Sequence, residues 1–564
     1  MSRGDNELDR LRSGRTELEN HYIDELVSGR LSRRDFLRRG SVIGMSAPLL
    51  GAILAACGSS SKSTSSSGAA STSSAPATKG GTLRIASVTP AAAVNPLTVS
   101  DAGGLTMLNQ TGEFLIFDSN IKLQLQPMLA LSWSPNADGS VWTFKLRPNV
   151  KFSNGAAMTS ADVVYTMQQL SDPKNASNAL SAFGGVLMPS GVKAIDPTTV
   201  QFTLEAPNGN FPYAVSSDNY NAIIVPKGTD FGSWQSTFIG TGAFKLGSYT
   251  TNVGATFVPN PNYWGPQPLL SMTSFKFYSS QAPMILALQG NDVDVIAQFT
   301  PAGAAAILNS PQYKIIKLPS ANHRELSMRN DIAPFTDPRV RQAVAYTLDR
   351  PGAVAALLSG DGTVANDYPF GPRFPSTDPS VPQRAQNIAM AKQLLAAAGH
   401  PNGFSTTLDS EIYEEIPELA QVIQQDAAKA GITIKLNITN QTLYYGKSTY
   451  GNSNWLDGTM SLVDYGDRGS PNVYLTAPLT TTGTWNAARF HNKEYDGLVK
   501  QYVAALDLTA QRTIAGKIQR LLLQETPVVY PYWIDGLTAS TPNVSGLNPT
   551  SIAQLYLNTA SKSA

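Results

Sequence analysis

The chain has 564 residues, 42% of them hydrophobic, with 42 basic and 41 acidic side chains and a formal net charge of +1. Near-neutrality without a basic stripe excludes a nucleic-acid surface, and a single cysteine excludes internal disulfides and multi-thiolate metal sites. The four histidines (His21, His323, His400 and His491) lack metal-ligand spacing, and no Gly-x-Ser-x-Gly, phosphate-loop or His-Glu-x-x-His signature occurs, so neither a cofactor, a metal nor a catalytic centre is expected.

The first 57 residues read as an export signal. Residues 1–31 form a polar extension, and Ser32-Arg33-Arg34-Asp35-Phe36-Leu37-Arg38 resembles the twin-arginine export motif, with Arg38 where Lys is commoner. Residues 40–56 are mostly apolar and uncharged. They include Pro48 and fall short of the about 20 residues a membrane-spanning helix needs. The run ends in Leu54-Ala55-Ala56-Cys57, where small residues precede the lone cysteine, as a lipobox requires. Cys57 is therefore expected to carry a diacylglyceryl group and to begin the mature protein. A buried free cysteine is the alternative, but the residues that follow are too polar to bury anything. Residues 58–79 are a Ser/Thr/Gly/Ala tract that cannot offset its ordering entropy, and they read as a flexible linker. Such a linker spans roughly 25 Å root-mean-square, tethering the body at the outer face of the cytoplasmic membrane.

The body, residues 80–564, is long enough for two or three domains. Thr82–Val88 predicts a strand. After the turn Asn136-Ala-Asp-Gly139, Trp142, Phe144 and Leu146 alternate with Thr143, Lys145 and Arg147, a strand with one buried face. Thr159-Ser-Ala-Asp162 starts a helix with a capping-box pattern, and Val163, Met167 and Leu170 form its apolar stripe. Asp337 caps a helix that opens on Pro338, with Val340, Ala343, Val344 and Leu348 on one face. Gly399 and Gly431 stand where helices stop. Ile432, Ile434, Leu436 and Ile438 alternate as a half-buried strand. Asp292 and Asp294 put two carboxylates on one strand face, read as a polar edge rather than a cation site.

The stretch from Trp142 to Gly155, followed by Thr159-Ser-Ala-Asp-Val-Val-Tyr165, resembles the signature of the family 5 extracellular solute-binding proteins, the dipeptide, oligopeptide and nickel receptors of ABC importers. Further matches keep the family's order: Gly240-Thr-Gly-Ala-Phe-Lys245, Asn262-Tyr-Trp-Gly265, Leu286 to Val295, Pro334 to Val344, Ala391 to Gly399, Ala430 to Ile434 and Thr526 to Trp533. The resemblance implies an α/β, two-lobed fold of the periplasmic-binding-protein type II-like (cluster C) kind, with an extra subdomain in lobe one. Lobe one is expected at 80–112, 209–323 and 530–564, its extra subdomain at 113–208, and lobe two at 324–529. Ligand would bind between lobes that close by hinge motion.

Leu462-Val-Asp-Tyr-Gly-Asp467 resembles the family's Asp-Tyr-Pro-Asp stretch, whose first aspartate pairs with the α-ammonium of a bound peptide. Here that residue is Asp464. Gly466 replaces the usual proline and Ser461 the common Trp, and capping of a local turn is the structural alternative for Asp464. Tyr444, Tyr445 and Trp455 lie in the low-charge segment 440–470, with Trp485 and Arg489 close behind. They suit an apolar ligand wall or a sugar face, or else core packing. Arg324, beside His323 near the first crossing, is placed to meet a ligand carboxylate or a metal–chelator complex, or else to pack the hinge. The expected protein is a monomeric, lipid-anchored receptor, not an enzyme. It would take a short peptide or, alternatively, an oligosaccharide, and present it to ABC transporter permease subunits. A hydrolase on the same scaffold and a sensory lipoprotein are the readings from other classes.

Overall fold

The structure, a computed structural model, describes residues 79–119 and 124–563. The expectations for Cys57, the twin-arginine stretch and linker residues 58–78 fall outside the described residues.

Two seven-stranded sheets organise the body. In the first, the order is Lys314–Leu318, Gly536–Ser540, Val295–Phe299, Thr82–Val88, Met272–Tyr278, Gly254–Pro259 and Phe244–Thr250. Thr82–Val88 pairs in parallel with both of its neighbours. A parallel centre is buried on both faces, and the sequence complies. Leu83 and Ile85 enter one apolar core, while Ala86 enters another with Met284, Ile285 and Leu288 of helix Gln281–Gln289.

The second sheet runs Gly362–Val364, Tyr532–Ile534, His323–Met328, Met460–Tyr465, Ser405–Glu411 and Thr433–Thr439, with Val528–Val529 also paired to His323–Met328. Helices Pro338–Thr347 and Ile416–Ala428 cover one face over Leu326, Met328, Met460 and Leu462. Aromatic residues and helices Lys493–Ala504 and Leu508–Glu525 cover the other. Each sheet with its helices makes one lobe. A four-stranded sheet, ordered Ala130–Pro135, Val141–Leu146, Thr199–Thr203 and Val192–Asp196, carries helix Ser160–Ser171. Phe144 there lies 5.2 Å from Phe202 and 6.3 Å from Phe211. Its core is continuous with that of the first sheet, since Phe144, Ile85 and Phe257 belong to one apolar cluster.

The chain crosses between lobes at 319–322 and returns at Asp535. The two crossings bond to each other: Ser320 Oγ donates to the Ile534 carbonyl at 2.5 Å, and the Ile534 amide to the Asn322 carbonyl at 2.8 Å. Against the sequence reading, His323 and residues 530–534 sit with the second sheet, so the return falls a few residues later than expected. The reason is pairing: Tyr532–Ile534 bonds to strand Gly362–Val364 through its whole length. Asp294 bridges Arg84 at 2.6 Å and Lys562 at 3.0 Å, a closed ion pair within the first lobe.

Candidate ligand site between the lobes

Strands Ser405–Glu411, Thr433–Thr439 and Met460–Tyr465 run parallel, and their carboxyl ends point to one edge of the second sheet. Crevices outside such edges are where α/β sheets bind ligands. Asp464 stands at this edge, half-buried and opposite Arg324 in the register. The Tyr445 hydroxyl lies 2.8 Å from Asp464 Oδ1 and 2.7 Å from Glu411 Oε1. One hydroxyl proton cannot serve both carboxylates at once. Burial pushes the Glu411 carboxyl up to about 7; the Tyr445 hydroxyl opposes this and the Asp464 charge adds to it.

The remaining residues named from sequence divide by environment. Tyr444 is fully buried and donates to the Leu462 carbonyl at 2.8 Å. Trp455, also buried, stands edge-on to Tyr445 at 5.5 Å and 6.3 Å from half-buried Trp485. Trp485 in turn lies 6.0 Å from Tyr465, so these rings form one row. Arg489 pairs with Asp457 at 3.0 Å and covers the exposed Tyr450 ring at 3.8 Å. Arg324 is fully buried and committed to Glu415 at 2.9 Å and Glu414 at 2.7 Å. The structure thus brings Asp464, Tyr445, Trp455 and Trp485 together, places Tyr444 behind them and Arg324 within an ion cluster of its own.

Deeper between the lobes lies a second group that sequence reasoning did not find. Asp118 on strand Ile116–Ser119 and Asp218 come from the first lobe, as does Ser551; Arg373 and Asp467 come from the second. Arg373 Nη1 donates to Asp467 Oδ2, and its Nη2 lies 3.6 Å from Asp118 Oδ2. Ser551 Oγ also donates to Asp467, and the Ala321 amide donates to Asp467 Oδ1 at 2.7 Å. Burial raises Asp118 far above the usual carboxylate range, with the charge of Asp218 adding to the effect, and lifts Asp218 to about 6. The pair therefore keeps a proton at neutral pH. Only Asp467, three residues after Asp464, carried any signal in the sequence.

Beside this group a cavity of about 130 Å³ is walled by Asn210, Tyr213 and Asp218 on one side and Arg468, Ser470 and Asn472 on the other. Asn210 Nδ2 donates to Asn472 Oδ1 at 2.9 Å, and the Gly209 amide to the Val503 carbonyl at 2.8 Å, so the lobes are in direct contact around it. His323 lies within the aromatic row, 5.4 Å from Tyr465. Its Nδ1 donates to the Ala321 carbonyl at 2.8 Å, and burial holds its pKa down at about 3, which leaves a neutral packing ring.

Comparison with known proteins agrees with this architecture. Heme-binding protein A of Haemophilus influenzae is 27% identical over 456 residues, covering 75% of this chain and 81% of that protein. The periplasmic murein peptide-binding protein MppA of Escherichia coli K12 is 26% identical over 466 residues, covering 76% and 85%. The structure of HbpA2 from Haemophilus parasuis superposes with a TM-score of 0.75 at 23% identity, covering 86% of this chain and all of that one. Among the described residues, no helix is long and apolar enough to cross a membrane. The model of the bacterial extracellular solute-binding proteins, family 5 (middle region), matches residues 124–487, and the chain belongs to that family.

Proposed function

We propose that this chain is a lipid-anchored receptor that encloses a short peptide between its lobes and delivers it to an ABC importer, without bond chemistry. Family membership supports solute binding, and a relative named for murein peptide supports the ligand class. The observation that carries the reading is the seam itself: polar side chains of both lobes meet around a cavity, and Asp464 stands at the adjoining sheet edge. A carboxylate placed there makes a charge-assisted bond to a peptide ammonium, stronger than a neutral one. The row of Trp455, Trp485 and Tyr465 favours a second reading, an oligosaccharide stacked on aromatic faces.

Calorimetric titration of the full-length protein with Ala-Ala-Ala and with its N-acetyl form tests the first reading. Wild-type protein is expected to bind the free tripeptide, and Asp464→Ala to weaken it by about 2–5 kcal/mol, as loss of one partner of a buried charge pair does. Equal affinity for the acetylated peptide, or an unchanged Asp464→Ala, removes Asp464 from the site. Binding of a maltotriose or cellotriose probe instead would favour the sugar.

A further inference from the structure

The loop that follows strand Thr199–Thr203 of the four-stranded sheet carries lobe one against lobe two, using residues of neither the crossings nor the Asp464 edge. Phe211 seats this loop: it is fully buried, 5.2 Å from Phe202 and 6.3 Å from Phe144. Trp142 Nε1 lies 3.2 Å from the carbonyls of both Gly139 and Asn208, and the Asn208 amide donates to the Gly139 carbonyl at 3.1 Å. The loop is thereby locked to its own subdomain before it meets the other lobe. Asn210, buried, then projects with both ends of its carboxamide taken by lobe two. Its Nδ2 donates to Asn472 Oδ1 at 2.9 Å, and its Oδ1 accepts from Gln511 Nε2 at 3.0 Å. The Gly209 amide donates to the Val503 carbonyl at 2.8 Å. The surfaces fit closely: a methyl group on Gly209 would stand 2.0 Å from the Ala505 carbonyl oxygen, and one on Gly139 would stand 2.9 Å from Leu506 Cδ2. Only glycine allows backbones to approach so closely.

We propose that this loop is a latch: the extra subdomain grips the corner between helices Lys493–Ala504 and Leu508–Glu525 and draws the hinge toward its closed state, with or without solute. Three hydrogen bonds cross the contact, to Asn472, Gln511 and Val503, and all three need the lobes to meet. On opening, water takes their place, so each contributes only the net of an exchange. Their sum still biases a hinge whose two states differ by a few kcal/mol. Asn210 and Asn472 also stand in the wall of the 130 Å³ cavity, so the latch closes beside the space it helps to enclose. A solute held by the closed form binds more weakly, in apparent terms, as the closed fraction falls. The subdomain thus sets affinity through the hinge. This goes beyond the receptor reading, and its test needs no solute.

Spin-label distances between the lobes test this. Ser279→Cys in lobe one and Thr442→Cys in lobe two, both exposed and outside the contact, are labelled in the full-length chain carrying Cys57→Ser. Double electron–electron resonance then reads their separation. The parent protein is expected to show a short distance, that of closed lobes. Gly209→Ala is expected to replace it with one longer, narrow distance, since the added methyl group bars the seat. Asn210→Ala, which adds no atoms, is expected to lower the closed-to-open ratio about tenfold, the worth of two exchanged hydrogen bonds. Gly497→Ala, on the helix that carries Val503 but with open space around its methyl group, is expected to keep the parent distribution. A parent protein with only the long distance overturns the latch, as does a short distance that survives in Gly209→Ala. If Gly209→Ala gives the broad spread of an unfolded chain, Asn210→Ala decides, and an unchanged ratio there overturns the proposal.

Discussion

Glu325 shows how a single side chain ties burial to pH. It is 2% exposed, and its Oε2 accepts from the Tyr530 hydroxyl at 2.7 Å. Burial pushes its pKa from 4.5 up to about 7, against the pull of that hydroxyl. The folded state therefore holds a proton that the unfolded chain has released. Stability from this group is full below about pH 4.5 and is lost as pH rises through about 7. Glu325→Gln removes that dependence. Denaturant melts at pH 5 and pH 8 are expected to shift in the variant's favour by about 1–3 kcal/mol across that range; parallel curves would show that Glu325 ionises freely. At this scale the site was half legible. Asp464 and Tyr445 lie close in sequence and in a recognisable stretch. Asp118 and Asp218 are brought together within the first lobe where Ile116 pairs with Ser216, and Arg373 joins them from the second, so three distant segments leave no spacing to read.

Elements governed by local rules were read well. The alternation in Val141–Leu146 appears as buried Trp142, Phe144 and Leu146, and helix Ser160–Ser171 starts with both halves of the expected capping box. The Asp162 carboxylate accepts from the Thr159 amide at 2.7 Å, and Thr159 Oγ1 accepts from the helix's first turn. Thr159→Ala is expected to cost about 1 kcal/mol by thermal melting, the usual worth of an N-cap, and an unchanged melt would mean that water replaces the cap. Gly399 and Gly431 take positive φ of 88° and 89° just past helix ends, as a left-handed stop requires. Strand His323–Met328 escaped notice for a physical reason. All six residues are buried, yet Arg324 and Glu325 give it a polar sequence. Glu414 and Glu415 pair with Arg324 and Tyr530 bonds to Glu325, all far along the chain, so the strand looks like a surface hinge until the partners are known.

The whole molecule turns on closure of one lobe against the other. Gly469 rests on Asp218 so closely that a methyl group there would stand 1.9 Å from Asp218 Oδ2. Gly469→Ala is therefore expected to displace Asp218 and hinder closure of the lobes while leaving each core untouched. Ligand affinity depends on how strongly the ligand favours the closed state, so an obstructed closure costs affinity without unfolding the protein. The architecture of two lobes was legible because it follows from motif order along the chain; the depth and charge of the cleft were not, because they are made by surfaces that meet only in the folded molecule. Native mass spectrometry of the full-length protein, purified without denaturation from its native host, addresses the cleft directly. Capture between the lobes predicts an added mass in the peptide range that leaves on acid unfolding and is absent from Gly469→Ala. The same adduct at the same occupancy in Gly469→Ala would place the ligand outside the cleft and contradict capture by closure.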